Sequence, residues 1–179
     1  MFRTTEDSRV QISELMKPAH ANFGGKIHGG YILSLMDNIA FACASKHSRS
    51  YCVTASVNKV NFLNPIEVGE LVTMKASVNY VGRSSMVVGI RVESENIRTG
   101  ETKHCNSSYF IMVAVDEDGK KVTVPGLILT NKLAAKRFIK SIIRRDSDIK
   151  RSKDLHQLYK NVEEHLDQLK DYRVKIDFK

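Results

Sequence analysis

A change of periodicity near residue 50 constrains most strongly what this chain can fold into. Before it, residues 30–46 carry apolar side chains around most of a helix circumference, which is typical of a buried helix. After it, apolar and polar residues alternate in runs that end at turn residues, which predicts consecutive β-strands. Because the apolar face of a sheet has to be covered, we expect an antiparallel sheet curled around the helix, an α+β fold.

The predicted strands divide the chain into a main domain and an extension. They cover residues 10–16, 51–62, 72–80, 86–92 and 105–113. Residues 1–130 therefore form the predicted domain, and residues 131–179 form a helical C-terminal extension. Within the extension, Asp146, Ser147 and Asp148 are expected to divide the helical pattern in two.

The positive charge of the chain is concentrated in the extension. The net charge is +8, and the extension alone carries 14 Lys and Arg against 8 Asp and Glu. One interpretation is an amphipathic helix that packs on the domain or on a neighbouring subunit. The other is that its cations meet phosphate groups or anionic lipid, and these cations include Lys136, Arg137, Lys140, Arg144 and Arg145. Because basic and aromatic residues are not interleaved, we expect no nucleic-acid partner.

The three cysteines argue against metal or disulfide chemistry. Cys43, Cys52 and Cys105 form no pair with metal-ligand spacing, and their number is odd. Two of the three lie in strongly patterned segments, where a buried thiol is expected, and we expect no metal. No N-terminal apolar run resembles a signal peptide, and no run has the ~20 apolar residues of a membrane span. We expect a reducing, cytoplasmic location and no membrane span.

A glycine-rich loop over residues 20–30 leads directly into the predicted helix. Gly29 and Gly30 lie at the helix start, where backbone N–H groups and partial positive charge favour an anion or a polarised carbonyl oxygen. Asp37 follows two turns later, where an ionised group is costly unless something uses it. Either Asp37 lies on a wetter stripe of the helix, or the loop and the carboxylate form a site.

Several short motifs, in this order along the chain, resemble those of hotdog-fold acyl-CoA thioesterases. The resemblance is to the acyl-CoA hydrolase branch with the brain-type and bacterial cytosolic enzymes, and it covers about residues 8–128. The matching residues are Asn22, Ile27-His28-Gly29-Gly30, Leu35-Met36-Asp37, Val53-Thr54-Ala55-Ser56-Val57, Asn61-Phe62-Leu63, Pro65, Val68-Gly69-Glu70, Val81-Gly82-Arg83-Ser84-Ser85-Met86 and Asp116-Glu117-Asp118-Gly119-Lys120.

The resemblance implies hydrolysis of an acyl-CoA thioester to a free acid and CoA. Asp37 would act as general base or as nucleophile, and Asn22 would position the reacting groups. The helix start at Gly29 and Gly30 would form the oxyanion hole, with Gly30 counted among the catalytic residues. The implied contacts to substrate and CoA are His28, Gly29, Asn58, Asn61, Arg83, Ser84 and Ser85.

Structural interpretations of the same residues stay open. Asn22 would then be a turn residue, since Asn is common in turns. His28 would be a structural histidine, and residues 83–85 would form a solvated hairpin turn. In the family, the Asp and the Asn that meet belong to different subunits. The resemblance therefore implies an active homodimer, a trimer of dimers, and no cofactor beyond the CoA of the substrate.

Two other functions remain compatible with this fold. One is a non-catalytic acyl-CoA-binding regulator, suggested by Lys26 within the loop and by the atypical extension. The other is an acyl-CoA hydratase or dehydratase, which would need a histidine paired with an acid across the subunit interface. His28 is the candidate for that histidine.

Overall fold

The structure, a computed structural model, describes residues 1–160 and 162–177. It forms two compact units, Met1–Phe138 and Ile139–Lys179. Residues 161, 178 and 179 of the predicted extension lie outside the described residues. Within the described chain, no helix is both long enough and apolar enough to cross a bilayer.

The first unit contains seven strands and two helices, and a third helix begins at its end. The strands are β1 (Phe2–Thr4), β2 (Val10–Leu15), β3 (Tyr51–Val57), β4 (Leu71–Val81), β5 (Ser85–Glu95), β6 (Thr102–Val115) and β7 (Gly126–Ile128). The helices are α1 (Thr5–Ser8), α2 (Gly29–Ser48) and α3 (Lys132–Lys160), with 3-10 helices at Pro18–His20 and Val162–Asp171.

Five strands form one antiparallel sheet in the order β2-β4-β5-β6-β3, and α2 packs on one face of it. The predicted α+β arrangement is confirmed, and each predicted strand of the sheet is present. The third strand is shorter than expected. It ends at Val57, so Asn58 and Asn61 lie in the following loop rather than on the strand.

The core lies between α2 and the inward face of the sheet. Ile32, Met36 and Ile39 of α2 pack there, and burying each such side chain contributes about 1.5–3 kcal/mol. They meet alternate residues of the strands, including Val72, Met74, Val78, Met86, Val88, Phe110 and Met112. Cys43, Cys52 and Cys105 are all buried, and burial raises the pKa of Cys43 to about 12.

One face of α2 stays open in the single chain. Leu33 and Phe41 are 36% and 38% exposed, and Asp37 and Asn38 on the same face are also exposed. The expectation of a helix buried almost all round is therefore wrong for one chain. The open face is apolar at its two ends and polar between them.

The remaining differences from prediction concern short elements and α3. The parallel pair of β1 and β7 and the four-residue α1 were not predicted, although Thr4 and Asp7 form a capping box. Helix α3 runs without a break through 146–148, so the predicted division there is wrong. The Ser147 hydroxyl donates to the Ile143 carbonyl oxygen at 2.9 Å, which satisfies it inside the helix.

Candidate active site

The loop before α2 is shaped by the side chain of Asn22. Its Oδ1 accepts hydrogen bonds from the backbone N–H of Gly24 at 2.9 Å and of Lys26 at 3.2 Å. The backbone of Asn22 also donates to the Lys26 carbonyl oxygen at 2.7 Å. Among the described residues, none accepts a hydrogen bond from Nδ2 of Asn22. The carbonyl end of this amide therefore fixes the loop, and the amino end is left for another molecule.

Lys26 fastens this loop to the segment before β4. Its Nζ lies 2.5 Å from Oε1 of Glu67, and the two residues also form an isolated antiparallel bridge. Both side chains are about half exposed, so the ion pair itself adds little stability. The unusual lysine thus has a structural explanation in its pairing with Glu67.

The start of α2 is capped by His28. Nδ1 of His28 accepts the N–H of Gly30 at 2.9 Å, so one of the two predicted oxyanion donors is already engaged. A Cβ on Gly30 would lie 2.7 Å from Cε1 of that ring, which explains the need for glycine. No described residue accepts a hydrogen bond from the N–H of Gly29. The open donor at this helix start is therefore the N–H of Gly29.

A cavity of about 780 Å³ opens beside the helix start. The lining residues are Ala21, Asn22, Phe23, His28, Gly29, Gly30, Leu33 and Phe62. A Cβ at Gly29 would approach the Phe62 ring to 3.1 Å, so the missing side chain lets that ring close over the helix start. The site residues predicted from the loop therefore line one largely apolar cavity that also exposes polar groups.

Tyr31 and His20 brace this end of the helix. Their rings stack with centroids 3.9 Å apart, and the Tyr31 hydroxyl donates to Oε1 of Glu14 at 2.5 Å. That hydrogen bond, together with burial, raises the pKa of Tyr31. The His20 carbonyl oxygen accepts the N–H of His28 at 2.8 Å. These contacts hold the loop in place and leave the aromatic lining of the cavity to Phe23 and Phe62.

Asp37 lies on the open face of α2 and contacts β3. Its Oδ1 accepts a hydrogen bond from Oγ1 of Thr54 at 2.6 Å. Oγ1 of Thr54 also lies 3.4 Å from Sδ of Met112. Thr54 was not predicted as a site residue, and its only sequence signal was membership of a matching run. The pair presents a carboxylate whose orientation is fixed by a neighbouring hydroxyl.

Within one chain, the helix start and the carboxylate are separate. Gly30 and Asp37 are seven residues apart, so they share a face of α2 but stand about 10 Å apart along its axis. One thioester carbonyl cannot contact both groups at that distance. The predicted catalytic residues of a single chain therefore form two half-sites on one helix.

The turn at residues 83–85 lies at the Asp37 end of the sheet. Met112 of β6 pairs with Thr54 on one side and with Met86 on the other, so the turn is two strands away from Thr54. Backbone hydrogen bonds fix the turn, since the carbonyl oxygens of Arg83 and Ser84 accept from Val124 and Ala114, both at 2.9 Å. The side chain of Arg83 stays exposed.

Asn58 and Asn61 lie toward the other end of the sheet. The N–H of Asn58 donates to the Tyr109 carbonyl oxygen, and the carbonyl oxygen of Asn61 accepts from Nδ2 of Asn106 at 2.8 Å. Tyr109 and Val113, the partner of Ser85, are four residues apart on β6, which is about 13 Å. In one chain, these two residues therefore lie in the loop that contains the cavity-lining Phe62, away from the 83–85 turn.

Comparison with known proteins gives a consistent result. The sequence model of the protein family described as the thioesterase superfamily matches residues 24–101. Protein VdlD of Helicobacter pylori is 41% identical over 143 residues, covering 80% of this chain and 82% of the relative. A hexameric acyl-CoA thioesterase has a solved structure with a TM-score of 0.82 and 35% identity, covering 84% of this chain and 97% of that one.

The chain belongs to the thioesterase superfamily. The acyl-CoA hydrolase of Staphylococcus aureus, solved with butyryl-CoA and CoA, is 26% identical with a TM-score of 0.81, covering 90% of this chain and 99% of that one. The resemblance to hotdog-fold thioesterases and the predicted fold class are confirmed, as is the assignment to a thioesterase enzyme family. The roles of individual residues stay predictions.

Proposed function

We propose that this thioesterase-family protein hydrolyses acyl-CoA thioesters to a free acid and CoA. The observation that carries the proposal is the Asp37–Thr54 pair on the open face of α2, in line with a helix start that offers a free backbone donor. A carboxylate and an aligned N–H donor are the groups that acyl transfer to water needs. No described cluster of three His, Cys, Asp or Glu side chains is placed to hold a metal.

Two routes are compatible with a carboxylate in this position. As a general base, Asp37 takes a proton from water while the water oxygen adds to the thioester carbonyl carbon; the C–S bond then breaks and the thiolate receives a proton. As a nucleophile, Asp37 forms an anhydride with the acyl group and CoA leaves as the thiol; water then hydrolyses the anhydride. In both routes, the N–H of Gly29 would stabilise the oxyanion, because the predicted donor of Gly30 is already bonded to His28.

Residue spacing supports the assignment of three residues. The staphylococcal hydrolase has been solved with alanine in place of an Asn, an Asp and a Thr that are separated in sequence by 15 and 17 residues. Asn22, Asp37 and Thr54 have the same separations and the same order. We therefore propose that Asp37 reacts, Thr54 orients it, and Asn22 positions the water or the substrate carbonyl.

We further propose that each active site is assembled from two chains. If two copies of α2 pack antiparallel through their open faces, Asp37 of each copy approaches Asn22 and Gly30 of the other. The exposed Leu33 and Phe41 supply apolar contacts for that packing. Since relatives of this chain form hexamers, we propose a homodimer as the active unit and a trimer of dimers as the assembly.

The CoA part of the substrate would bind between the half-sites. We propose that Arg83, with the hydroxyls of Ser84 and Ser85, binds a phosphate of the nucleotide. His28, Gly29, Asn58 and Asn61 stand nearer the cavity at the helix start and would contact the acyl–pantetheine region. We also propose a cytoplasmic location, supported by mammalian relatives named cytosolic acyl-CoA hydrolases.

A rate panel from acetyl-CoA to palmitoyl-CoA, measured by thiol release, tests the activity. We expect turnover by the wild type and a loss of at least ~100-fold in kcat for Asp37→Asn. Asp118→Asn removes an exposed turn carboxylate instead and should leave the rate unchanged. Saturable CoA-ester binding without turnover would instead support the regulator. A hydrated product from an enoyl-CoA would support the hydratase.

A further inference from the structure

A second cavity, of about 570 Å³, lies on the outer face of the sheet. We call it the outer groove. Among the residues that line it are Lys75, Ser77, Asn79, Gly89, Arg91 and Tyr109. Core residues such as Val78 and Val88 alternate with the outward-facing ones and point to the α2 side. The outer groove is therefore separated from the candidate active site by the thickness of the sheet.

Strand register builds the floor of this groove. Ser77 of β4 pairs with Gly89 of β5, and Gly89 pairs with Tyr109 of β6. These three residues form a row across the sheet, and the middle one is a glycine without a side chain. A Cβ at Gly89 would collide with Nδ2 of Asn79. Glycine thus creates the hollow and lets the Asn79 amide lie across it.

The lining is cationic. Arg9, Lys75, Arg91 and Arg137 all contribute to it, and its described lining contains no carboxylate. Glu93, just outside, is shared between Lys75 at 2.8 Å and Arg91 at 2.7 Å, and their hydrogen bonds lower its pKa to about 2.

The single carboxylate of Glu93 cannot neutralise both Lys75 and Arg91, so these three side chains together keep one positive charge. Arg91 uses only Nε for Glu93, and neither of its Nη groups donates to a described residue. Two N–H-bearing nitrogens of a guanidinium in a basic groove are a suitable donor set for a phosphate.

A buried amide completes the groove. Asn79 is only 6% exposed, and its Oδ1 accepts a hydrogen bond from the Ser77 hydroxyl at 3.2 Å. No acceptor for its Nδ2 is present among the described residues. The Nδ2 atom lies over Gly89 in the lining of the groove, where it can donate a hydrogen bond to an oxygen of a ligand.

We propose that the outer groove binds a small polyanion with two linked phosphates. Arg91 and Lys75 would bind its phosphate oxygens from β5 and β4, and Asn79 would donate to it from the floor. This site is distinct from the thioester site and from the 83–85 turn. Two sources share the required chemistry, namely a free nucleoside diphosphate and the diphosphate of CoA itself.

Calorimetric titration of the full chain at low ionic strength, with inorganic pyrophosphate as the probe, tests the site. We expect Arg91→Gln to weaken pyrophosphate binding by about 10-fold or more, the loss typical of charge-assisted hydrogen bonds. Lys75→Gln serves as a second variant should Arg91→Gln fail to fold. Arg98→Gln removes an exposed arginine outside the groove and should change the affinity by less than about twofold.

Further titrations identify the source and separate the two sites. Pyrophosphate binding that persists in Arg83→Gln and Asp37→Asn supports a distinct groove. Displacement of pyrophosphate by CoA would identify CoA as the source, and displacement by ADP alone would identify a free nucleotide. Absence of binding by the wild type, equal affinity in Arg91→Gln and Lys75→Gln, or loss in Arg83→Gln instead would overturn the proposal.

Discussion

Thr54 of β3 donates a 2.6 Å hydrogen bond to Asp37 of α2, and this contact joins the edge strand of the sheet to the open face of the helix. The contact holds the carboxylate in the polar middle of that face, between the exposed apolar residues Leu33 and Phe41. Because Asp37 is exposed in the single chain, its orientation depends on Thr54 rather than on burial. The predicted reaction therefore depends on a residue from each of two elements.

Removing this hydroxyl should weaken catalysis without unfolding the protein. We expect Thr54→Val to lower kcat by about 10–100-fold, which corresponds to losing a hydrogen bond to a charged group. Thr54→Ser keeps the hydroxyl and should retain most of the rate. Ser56→Ala, an exposed change on the same strand, is the matched control. Equal rates for Thr54→Val and the wild type would show that the contact has no catalytic role.

The His28 cap at Gly30 predicts non-additive effects. We expect His28→Ala to cost about 1 kcal/mol of stability through the lost cap. Gly30→Ala should displace the same ring and lose the same cap, so the double variant should be no less stable than the worse single variant. Chemical denaturation of the four proteins measures this. Fully additive losses would contradict the proposed clash.

The pair of Lys26 and Glu67 should contribute little to activity. We expect Lys26→Met and Glu67→Gln each to cost less than about 1 kcal/mol, because both side chains are about half exposed. Each variant should change kcat/KM by less than about threefold, and the double variant should behave like either single one. A complete loss of activity in Lys26→Met alone would mean that the lysine contacts substrate.

His47 should make stability sensitive to acid. It is fully buried, Nε2 lies 3.0 Å from the Pro125 carbonyl oxygen, and Nδ1 has no partner among the described residues. Burial lowers its pKa below 6.5, so on acidification the unfolded chain takes up a proton before the folded one does. Stability should therefore fall as the pH drops below about 6.5, by at most about 1.4 kcal/mol per pH unit.

The effect of His47 should be absent above about pH 7.5, where both states are neutral. Denaturation of wild type and His47→Gln between pH 5.5 and 8 isolates this contribution. The variant should show a shallower loss of stability on acidification. Parallel pH profiles for the two proteins would rule out His47 as the cause.

Periodicity predicted the sheet and the central helix because burial of one face controls both. The same reasoning wrongly predicted that Leu33 and Phe41 are buried in the single chain. Apolar residues on an open helix face show the same spacing in the sequence as core residues do. The three-residue strands β1 and β7 are too short for any period to be visible. For α1, the capping box of Thr4 and Asp7 was a usable signal.

The candidate site was predictable in its residue types but not in its internal hydrogen bonds. Gly29, Gly30 and Asp37 could be selected from the loop and the helix because their chemistry is local. The partner of Asp37 could not, because Thr54 reaches it only after the sheet has folded onto α2. For the same reason, the sequence left Lys26 without an explanation until Glu67 was placed beside it.

Complementation between two inactive variants tests whether the thioester site is shared between two copies of the chain. Asn22→Ala and Asp37→Asn chains, each inactive as a homodimer, are coexpressed and the thiol-release rate of the mixture is measured. If each site takes Asn22 from one copy and Asp37 from the other, random pairing restores one intact site in half of the dimers. We therefore expect about a quarter of the wild-type activity. A mixture no more active than its two parents would contradict it.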